Sequence, residues 1–214
     1  MHFNTNSSIL TELSVELGES VLLDTGAIVT TTGQYRGRAA TAKAYVRDEL
    51  TESTIDWEAN NSISEEQFAT EFNSFREYAK AVHPLFCQEV RAVRDEKNSL
   101  DVVVYTETAK HSLFVRNMFI PDVGPRFRQN GSPFVVYHFP NKESEAKVLI
   151  SMKSKTILIT GTHYSGEIKK SVFSVLNFLF PEKNHLPMHC SVNVDRNREN
   201  AAIFFGLSGT GKTT

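Results

Sequence analysis

The sequence predicts a mixed fold of the α+β or α/β type. Segments with helical spacing of apolar residues alternate with short runs rich in β-branched and aromatic residues, such as Val102–Thr106 and Phe134–Phe139. The strand-like runs outnumber the helical segments, and the chain contains no internal repeat. Hydrophobic residues make up 40% of the 214 residues, with 15 phenylalanines among them, which is enough for a substantial core. These observations favour one or two domains built around a mixed sheet.

The first half of the chain contains three predicted helices. Residues 7–17 have apolar side chains at helical spacing, with Ser7 or Ser8 as the cap and Gly18 as the stop. Ser64-Glu-Glu-Gln67 is a capping box, and the phenylalanines after it mark one helical face. The third helix is predicted over 108–118, with His111 on its surface.

Strands are predicted between and after these helices. The segment 21–32 is rich in β-formers, and residues 48–61 form a polar surface connection. A helix over 167–180 is stopped by Pro181. Two of the strands flank a Met-Lys-Ser-Lys turn and are predicted to form a hairpin, Lys147–Ser151 and Thr156–Thr160. The other predicted strands are Ala44–Arg47, Leu85–Ala92, Val102–Thr106, Phe134–Phe139, Met188–Val194 and Ala201–Phe205.

Composition excludes several classes of function. The formal net charge is -2, so nothing indicates a nucleic-acid partner or an anionic membrane surface. No apolar run reaches the roughly 18–20 residues of a membrane-spanning helix, and the first residues show no secretory signal. Cys87 and Cys190 lie far apart in sequence and are expected to be reduced, buried thiols. We therefore expect a cytoplasmic protein.

The last stretch carries a phosphate-binding motif. Residues 206–213 fit the pattern G-x-x-x-x-G-K-[ST] and follow the apolar strand Ala201–Phe205. Backbone N–H groups in such a loop surround a di- or triphosphate, Lys212 reaches the β- and γ-phosphates, and the Thr213 hydroxyl contacts a divalent cation. The alternative is a glycine-rich turn with an incidental lysine. The predicted nucleotide-binding residues are Gly206, Leu207, Ser208, Gly209, Thr210, Gly211, Lys212 and Thr213.

Three other clusters contain candidate site residues, and each also has a simpler explanation. Arg38 follows Gly37 in a loop that suits carboxylate or phosphate binding, although a solvated turn arginine is the more common explanation for such a residue taken alone. Lys169 and Lys170 stand at a helix start, where the helix dipole disfavours cations, so either an anion or metal site lies nearby or both are surface lysines. His189 precedes the phosphate-loop strand and is either a core histidine or a ligand near the bound phosphates.

In combination these clusters resemble the ATP-dependent phosphoenolpyruvate carboxykinase family, over about residues 9–214. The strongest matches are His163–Lys170 with the downstream Phe173–Pro181, Met188–Asn193 and Phe204–Thr214. Supporting matches are Phe114–Ile120, Thr31–Gly33 with Gly37-Arg38, and Asp56-Trp57 before Ile63-Ser64.

This resemblance implies a substrate-side domain over 1–200 with a mixed sheet, and the start of a P-loop nucleotide-binding domain over 201–214. The implied reaction is a lyase step of gluconeogenesis. Oxaloacetate is decarboxylated and the resulting enolate is phosphorylated by ATP, which yields phosphoenolpyruvate, CO2 and ADP. The implied partners are these small molecules, with no membrane and no nucleic acid. The 214-residue chain alone is expected to be inactive, because half of the cleft and the acidic metal ligands are expected beyond Thr214.

The resemblance also implies residue roles. Arg38 aligns with the arginine that binds the substrate carboxylate, and Tyr164 with the tyrosine that lines the substrate and CO2 pocket. Lys169 aligns with a lysine facing the substrate or γ-phosphate. Lys170 and His189 align with ligands of Mn2+, while Thr213 aligns with the Mg2+ and ATP site. Since a lysine coordinates a metal only as the neutral amine, the pKa of Lys170 is predicted to be lowered.

One loop departs from the family. The family usually reads Gly-Arg-Ser-Pro-Lys-Asp-Lys where this chain has Gly37-Arg-Ala-Ala-Thr-Ala-Lys43. The change leaves open a non-catalytic relative that keeps nucleotide or anion binding. A third possibility is a protein kinase of the bacterial sugar-transport regulatory type, which has a related phosphate loop. The match over Tyr164–Lys170 argues against that class, because such kinases are not expected to contain this motif.

Overall fold

The computed structural model describes residues 1–95, 97–121, 124, 127, 131–206 and 210. Two compact units divide the chain, Met1–Phe173 and Ser174–Thr214. The boundary expected at residue 200 concerns the domains of the whole protein and stays a prediction.

The first unit contains ten strands among its described residues. They are β1 (His2–Phe3), β2 (Val21–Leu22), β3 (Ile28–Val29), β4 (Lys43–Arg47), β5 (Asn61–Ser64), β6 (Phe86–Ala92), β7 (Leu100–Thr106), β8 (Phe134–Phe139), β9 (Lys147–Ser151) and β10 (Thr156–Thr160). The helices are α1 (Ser7–Glu16), α2 (Glu65–Ala81), α3 (Ala109–Met118) and α4 (Gly166–Leu179), whose last residues belong to the second unit. A short 3-10 helix covers Ala40–Ala42.

Eight of these strands form one mixed sheet in the described part of the unit, in the order β1-β6-β7-β8-β10-β9-β4-β5. The pairs β6·β7 and β9·β10 are antiparallel, and the remaining neighbours are parallel. Strands β2 and β3 form a separate small hairpin. The predicted mixed fold is therefore confirmed, and so is the predicted β9–β10 hairpin, in which Ser151 pairs with Thr156.

The three adjacent parallel strands β7, β8 and β10 end at the same edge of the sheet. Thr106 is in register with His138, and Thr160 is in register with Phe139. The loops that follow these strands therefore begin side by side. In sheets of this kind ligands bind outside the carboxyl ends of the strands, so this edge is where a site is expected.

Helix α2 covers one face of the sheet. Its buried Phe68 and Phe75 form a cluster with residues from four neighbouring strands, Val46, Phe139, Leu149 and Leu158. The ring centroids of Phe75 and Phe139 lie 5.7 Å apart. The helix begins as predicted, because the Gln67 N–H donates to Ser64 Oγ at 3.1 Å and the Ser64 N–H donates to Gln67 Oε1 at 3.1 Å.

Helices α1 and α3 pack against each other, and α3 packs against β6 and β7. Leu10, Phe86, Ala109 and Leu113 form the buried cluster there. Helix α1 is capped by Asn6, whose Oδ1 accepts from the Ile9 N–H at 3.0 Å, and not by Ser7 or Ser8 as predicted.

The surface position predicted for His111 is wrong. Its side chain is completely buried, because α1 and the strands β6 and β7 enclose helix α3. The edge strands β1 and β5 were not predicted either, because they are short and lack an alternating apolar pattern.

The second unit includes the end of α4, a 3-10 helix over Pro181–Lys183, and an antiparallel hairpin of β11 (Cys190–Val194) and β12 (Ala201–Phe205). Both strands were predicted, although β11 begins two residues later than expected. Of the predicted phosphate loop, Gly206 and Thr210 are described, and the other six positions lie outside the described residues. None of the described helices combines the length and the apolar character needed to cross a membrane.

Candidate active site

An open cavity of about 520 Å³ lies at the carboxyl edge of β8 and β10. Loop residues from three parts of the first unit surround it: Thr32, Gln34, Tyr35, Pro140, Asn141, Lys142, Glu143, Ser144, Gly161 and His163. Most of these side chains are polar. The cavity therefore suits a small polar molecule better than an apolar one.

Tyr164 follows this cavity in the loop between β10 and α4. Its N–H donates to Thr162 Oγ1 at 3.1 Å, and its carbonyl oxygen accepts from the Glu167 N–H at 3.0 Å. The ring lies against Gly166, where an added Cβ would be 2.6 Å from Tyr164 Cε1. A glycine is therefore needed at 166 for the ring to take this position. Tyr164 does not line the cavity itself, but its neighbour His163 does.

The segment that leads to Arg38 is tied to the same edge. The carbonyl oxygen of Thr31 accepts from Lys110 Nζ at 3.2 Å. Gln34 Nε2 donates to the carbonyl oxygen of Ser144 at 3.0 Å, and Tyr35 Oη accepts from the Ala146 N–H at 3.1 Å. These bonds hold residues 31–35 against α3 and the loop that follows β8.

Arg38 itself has an exposed side chain, and the residue after it is anchored to α4. The Ala39 N–H donates to Glu167 Oε2 at 3.2 Å. On the other side, Asn61 Nδ2 donates to the carbonyl oxygens of Thr41 and Lys43, at 3.0 and 3.1 Å. The altered segment 37–43 is thus held through its backbone between α4 and β5.

Lys43 lies at the end of this segment and is half-buried. Burial lowers the pKa of its amine, the Glu167 carboxylate opposes that effect, and the Arg38 guanidinium adds to it. Arg38, Lys43 and Glu167 therefore form one electrostatic group.

The two adjacent lysines differ in environment. Lys169 is exposed, whereas Lys170 is half-buried with its Nζ 5.2 Å from the centroid of the Phe173 ring. His189 is exposed and belongs to the second unit, immediately before β11. The expected coordination of one Mn2+ ion by His189 and Lys170 stays a prediction.

Three histidines that were not predicted as a group meet at the site edge. The ring centroids of His111 and His138 lie 4.3 Å apart, and those of His111 and His163 lie 6.0 Å apart. His111 Nε2 donates to the His163 carbonyl oxygen at 3.0 Å, and His138 Nε2 donates to the Thr162 carbonyl oxygen at 3.1 Å. Thr108 Oγ1 contacts His111 Nδ1. The histidine cluster thereby packs against the backbone that carries Tyr164.

The surroundings of the histidine cluster favour the neutral form of all three imidazoles. Burial, and then the charge of His163, lower the pKa of His138 to about 3. Burial and the neighbouring His138 hold the pKa of His111 well below its ordinary value. Burial also lowers the pKa of His163. Single histidines carry no sequence signal for such a cluster, since it arises from the order of the strands.

Glu107 connects α2 to the loop after β8. Its Oε1 accepts from Tyr78 Oη at 2.8 Å, and its Oε2 accepts from the Asn141 N–H at 3.0 Å. Burial and then this carboxylate raise the pKa of Tyr78 to about 12. The cavity wall at Asn141 is therefore fixed from the α2 side of the sheet.

Comparison with known proteins identifies the family of the chain. The family model for phosphoenolpyruvate carboxykinase of the ATP type matches residues 1–214. The chain belongs to the ATP-dependent phosphoenolpyruvate carboxykinase family. The phosphoenolpyruvate carboxykinase (ATP) of Bacillus velezensis is 43% identical over 225 residues, which cover 100% of this chain and 42% of that protein. The Bacillus subtilis protein of the same name is 41% identical over 221 residues, which cover 99% of this chain and 42% of that protein.

A relative from Afipia carboxidovorans, also named phosphoenolpyruvate carboxykinase (ATP), is 41% identical over 229 residues. The alignment covers 100% of this chain and 41% of that protein. This member of the carboxykinase family therefore spans about two fifths of the length of the curated relatives that it matches.

Among the site residues expected from the carboxykinase family, the structure connects Arg38 to Tyr164. The side chain of Glu167 binds the backbone next to Arg38, and its own N–H binds the Tyr164 carbonyl oxygen. Glu167 was part of the sequence motif but was not predicted as a site residue. Its partner is a backbone N–H, for which a sequence has no signal.

Proposed function

We propose that the whole protein is an ATP-dependent phosphoenolpyruvate carboxykinase, which converts oxaloacetate and ATP to phosphoenolpyruvate, CO2 and ADP. The observation that carries the proposal is the link through Glu167, which places the Arg38 segment and Tyr164 at the start of one helix. Family membership over the full chain supports the same reaction.

The proposed roles follow from the chemistry of the side chains. Arg38 is exposed on a segment with a fixed backbone, so its planar guanidinium is available for a bidentate contact with a substrate carboxylate. Tyr164 forms a wall that excludes water from the substrate and CO2. Lys169 and Lys170 add positive charge near the enolate oxygen or the transferred phosphoryl group.

Mn2+ and Mg2+ are the proposed metals. In the part of the chain that the structure describes, no three His, Cys, Asp or Glu side chains lie close enough to hold a metal ion. The proposed donors are the Lys170 amine and the His189 imidazole, and Mn2+ prefers oxygen ligands, so further ligands from the rest of the whole protein are needed. Once bound, a divalent cation supplies Lewis-acid polarisation of a substrate oxygen. Lys170 contributes a nitrogen donor only after losing its proton.

The nucleotide site is proposed for residues 206–213, as the start of a P-loop domain. At Gly206, an added Cβ would be 2.9 Å from Thr210 Oγ1, so a side chain at position 206 would be crowded. ATP would be held by backbone N–H groups, Lys212 and Thr213. We further propose a cytoplasmic protein that acts on small molecules.

The test is an assay of the whole protein with oxaloacetate, ATP, Mn2+ and Mg2+. We expect release of phosphoenolpyruvate and CO2, and no turnover by the 214-residue chain alone. Arg38→Ala should raise the KM for oxaloacetate by about 100-fold, because a charged bidentate contact is lost. Arg36→Ala, two residues away in the same loop, is the matched control and should leave the KM within twofold. A whole protein that binds ATP but releases no phosphoenolpyruvate would contradict the proposal.

A non-catalytic relative is the second candidate, and the altered segment between Gly37 and Lys43 favours it. Such a protein would keep nucleotide or anion binding without turnover. Mn2+ titration of the whole protein separates the two functions. Tight binding that disappears in Lys170→Ala and His189→Ala supports the enzyme, whereas binding that is weak and insensitive to both changes supports the non-catalytic relative.

A further inference from the structure

We propose that Glu167 is the positioning residue for Arg38, because its buried carboxylate fixes both the backbone and the charge of the segment 37–43. The inference rests on the proposed function, in which Arg38 binds the substrate carboxylate. Glu167 is not itself expected to touch the substrate.

The burial of Glu167 is complete, which is unusual for an acidic side chain. Oε2 accepts the hydrogen bond from the Ala39 N–H at 3.2 Å. Oε1 is buried and has no hydrogen-bond partner among the residues that the structure describes. A buried carboxylate with an unsatisfied oxygen is costly unless nearby positive charge offsets the loss of water.

The positive charge comes from the segment that Glu167 anchors. Lys43 is half-buried and its amine interacts electrostatically with the Glu167 carboxylate. Arg38 repels the same amine. The Glu167 carboxylate, which lies on the α4 side of the segment, therefore offsets part of the repulsion that the Lys43 amine receives from Arg38.

Glu167 also determines where this segment lies relative to Tyr164. Its N–H donates to the Tyr164 carbonyl oxygen at 3.0 Å, so the residue that anchors Ala39 also closes the first turn of α4. A carboxylate in the first turn is favoured by the helix dipole. One residue therefore sets the spacing between the Arg38 segment and the tyrosine wall.

The side chains of the segment itself cannot replace this anchor. Between Arg38 and Lys43 the chain has three alanines and a threonine. Asn61 holds the carbonyl oxygens of Thr41 and Lys43, and Lys43 is paired with Val148 of β9. Removal of Glu167 would take away the side-chain contact at the Arg38 end, while Asn61 and Val148 would still hold the Lys43 end.

The test uses the whole protein with Glu167→Gln, Glu167→Ala and a matched control. Glutamine keeps an acceptor for the Ala39 N–H but removes the charge, and alanine removes both. We expect the KM for oxaloacetate to rise about tenfold in Glu167→Gln and about 100-fold in Glu167→Ala, since charge-assisted hydrogen bonds are the stronger ones. The KM for ATP should stay within twofold. Glu66→Gln, an exposed acid in the first turn of α2, is the control for the helix dipole.

A second readout does not depend on catalysis. Amide hydrogen exchange of peptides covering residues 37–43 should accelerate at least tenfold in Glu167→Ala and not in Glu66→Gln. An unchanged oxaloacetate KM in both Glu167 variants, with their folds intact, would overturn the inference. If the unmodified protein makes no phosphoenolpyruvate, the proposed function fails, and exchange alone decides whether Glu167 anchors the segment. Unaltered exchange in Glu167→Ala would then overturn the anchoring role.

Discussion

The ring centroids of His111 and His138 lie 4.3 Å apart, and both side chains are completely buried. The groups around them include Lys110, which is a cation, and His163, which adds positive charge once it is protonated. A proton on either imidazole would therefore lose its hydration and meet like charges. The two rings pack as neutral groups, and their hydrogen bonds hold the backbone of Thr162 and His163 next to Tyr164.

This arrangement predicts that the protein loses stability in mild acid. The pKa of His138 is about 3 in the folded protein, whereas the ordinary value of 6.5 applies to the unfolded chain. Between these two pH values the unfolded chain therefore binds more protons than the folded protein. The stability contribution is fully present above pH 6.5 and decreases as the pH falls toward 3. We expect His138 alone to account for about 2 kcal/mol of lost unfolding free energy between pH 7 and pH 5, measured by urea denaturation.

The variant that tests this assignment is His138→Gln, which cannot titrate in this range. Its unfolding free energy should fall less steeply between pH 7 and pH 5 than that of the unmodified protein. His185→Gln changes an exposed histidine of the second unit and should keep the original slope. Equal slopes in all three proteins would show that His138 does not control the acid sensitivity.

The capping box at the start of α2 gives a prediction of stability. Ser64→Ala removes the oxygen that accepts from the Gln67 N–H, so we expect the unfolding free energy to fall by about 1 kcal/mol. Ser64→Asp keeps an acceptor at the cap and should restore most of this loss. Urea denaturation at pH 7 measures both values, and an unchanged stability in Ser64→Ala would refute the role of the box.

Local patterns were sufficient to predict α2 and the central strands. Ser64 and Gln67 stand three residues apart, and Phe68, Phe72 and Phe75 follow at helical spacing. Both signals lie within a few residues, so the sequence alone predicts the element. The β9–β10 hairpin was predictable for the same reason. In contrast, β1 pairs with β6 across more than 80 residues and contains only two residues, so no local pattern predicts it.

Some residues of the candidate site could likewise be predicted from local motifs, and others could not. Arg38 and Tyr164 stand in short motifs and were predicted as site residues. The contact between Ala39 and Glu167 joins positions 128 residues apart and uses a backbone N–H. The histidine cluster needs strands β8 and β10 to be neighbours, although β9 separates them in the chain. These relationships depend on sheet order, which spacing in the sequence does not determine.

Gly161, at the end of β10, should not tolerate a side chain. Its φ is +65°, and an added Cβ would be 1.9 Å from the Glu145 carbonyl oxygen. Because the contact is with backbone, the loop after β8 would have to move. We expect Gly161→Ala to lower the unfolding free energy by at least about 3 kcal/mol.

The matched control is Gly26→Ala. Gly26 has a φ of +81° but no atom within 4 Å of an added Cβ, so only the backbone strain remains. Gly26→Ala should lower the unfolding free energy by about 1 kcal/mol. If both variants lose the same stability in urea denaturation, the close approach of Glu145 does not constrain the site loop.

Gly166→Ala tests the position of the Tyr164 ring in the whole protein. An added Cβ would lie 2.6–2.8 Å from three atoms of the ring, and the half-buried side chain can rotate away. We therefore expect the unfolding free energy to change by less than about 1 kcal/mol, since alanine is well tolerated in a helix. If Tyr164 lines the substrate pocket, kcat/KM for oxaloacetate should fall about 10–100-fold, because small misplacements of substrate-positioning groups reduce the rate strongly.

Ser165→Ala, on the adjacent residue, is the control for Gly166→Ala and should leave kcat/KM within about threefold. Unchanged kinetics in Gly166→Ala would mean that the ring does not position the substrate.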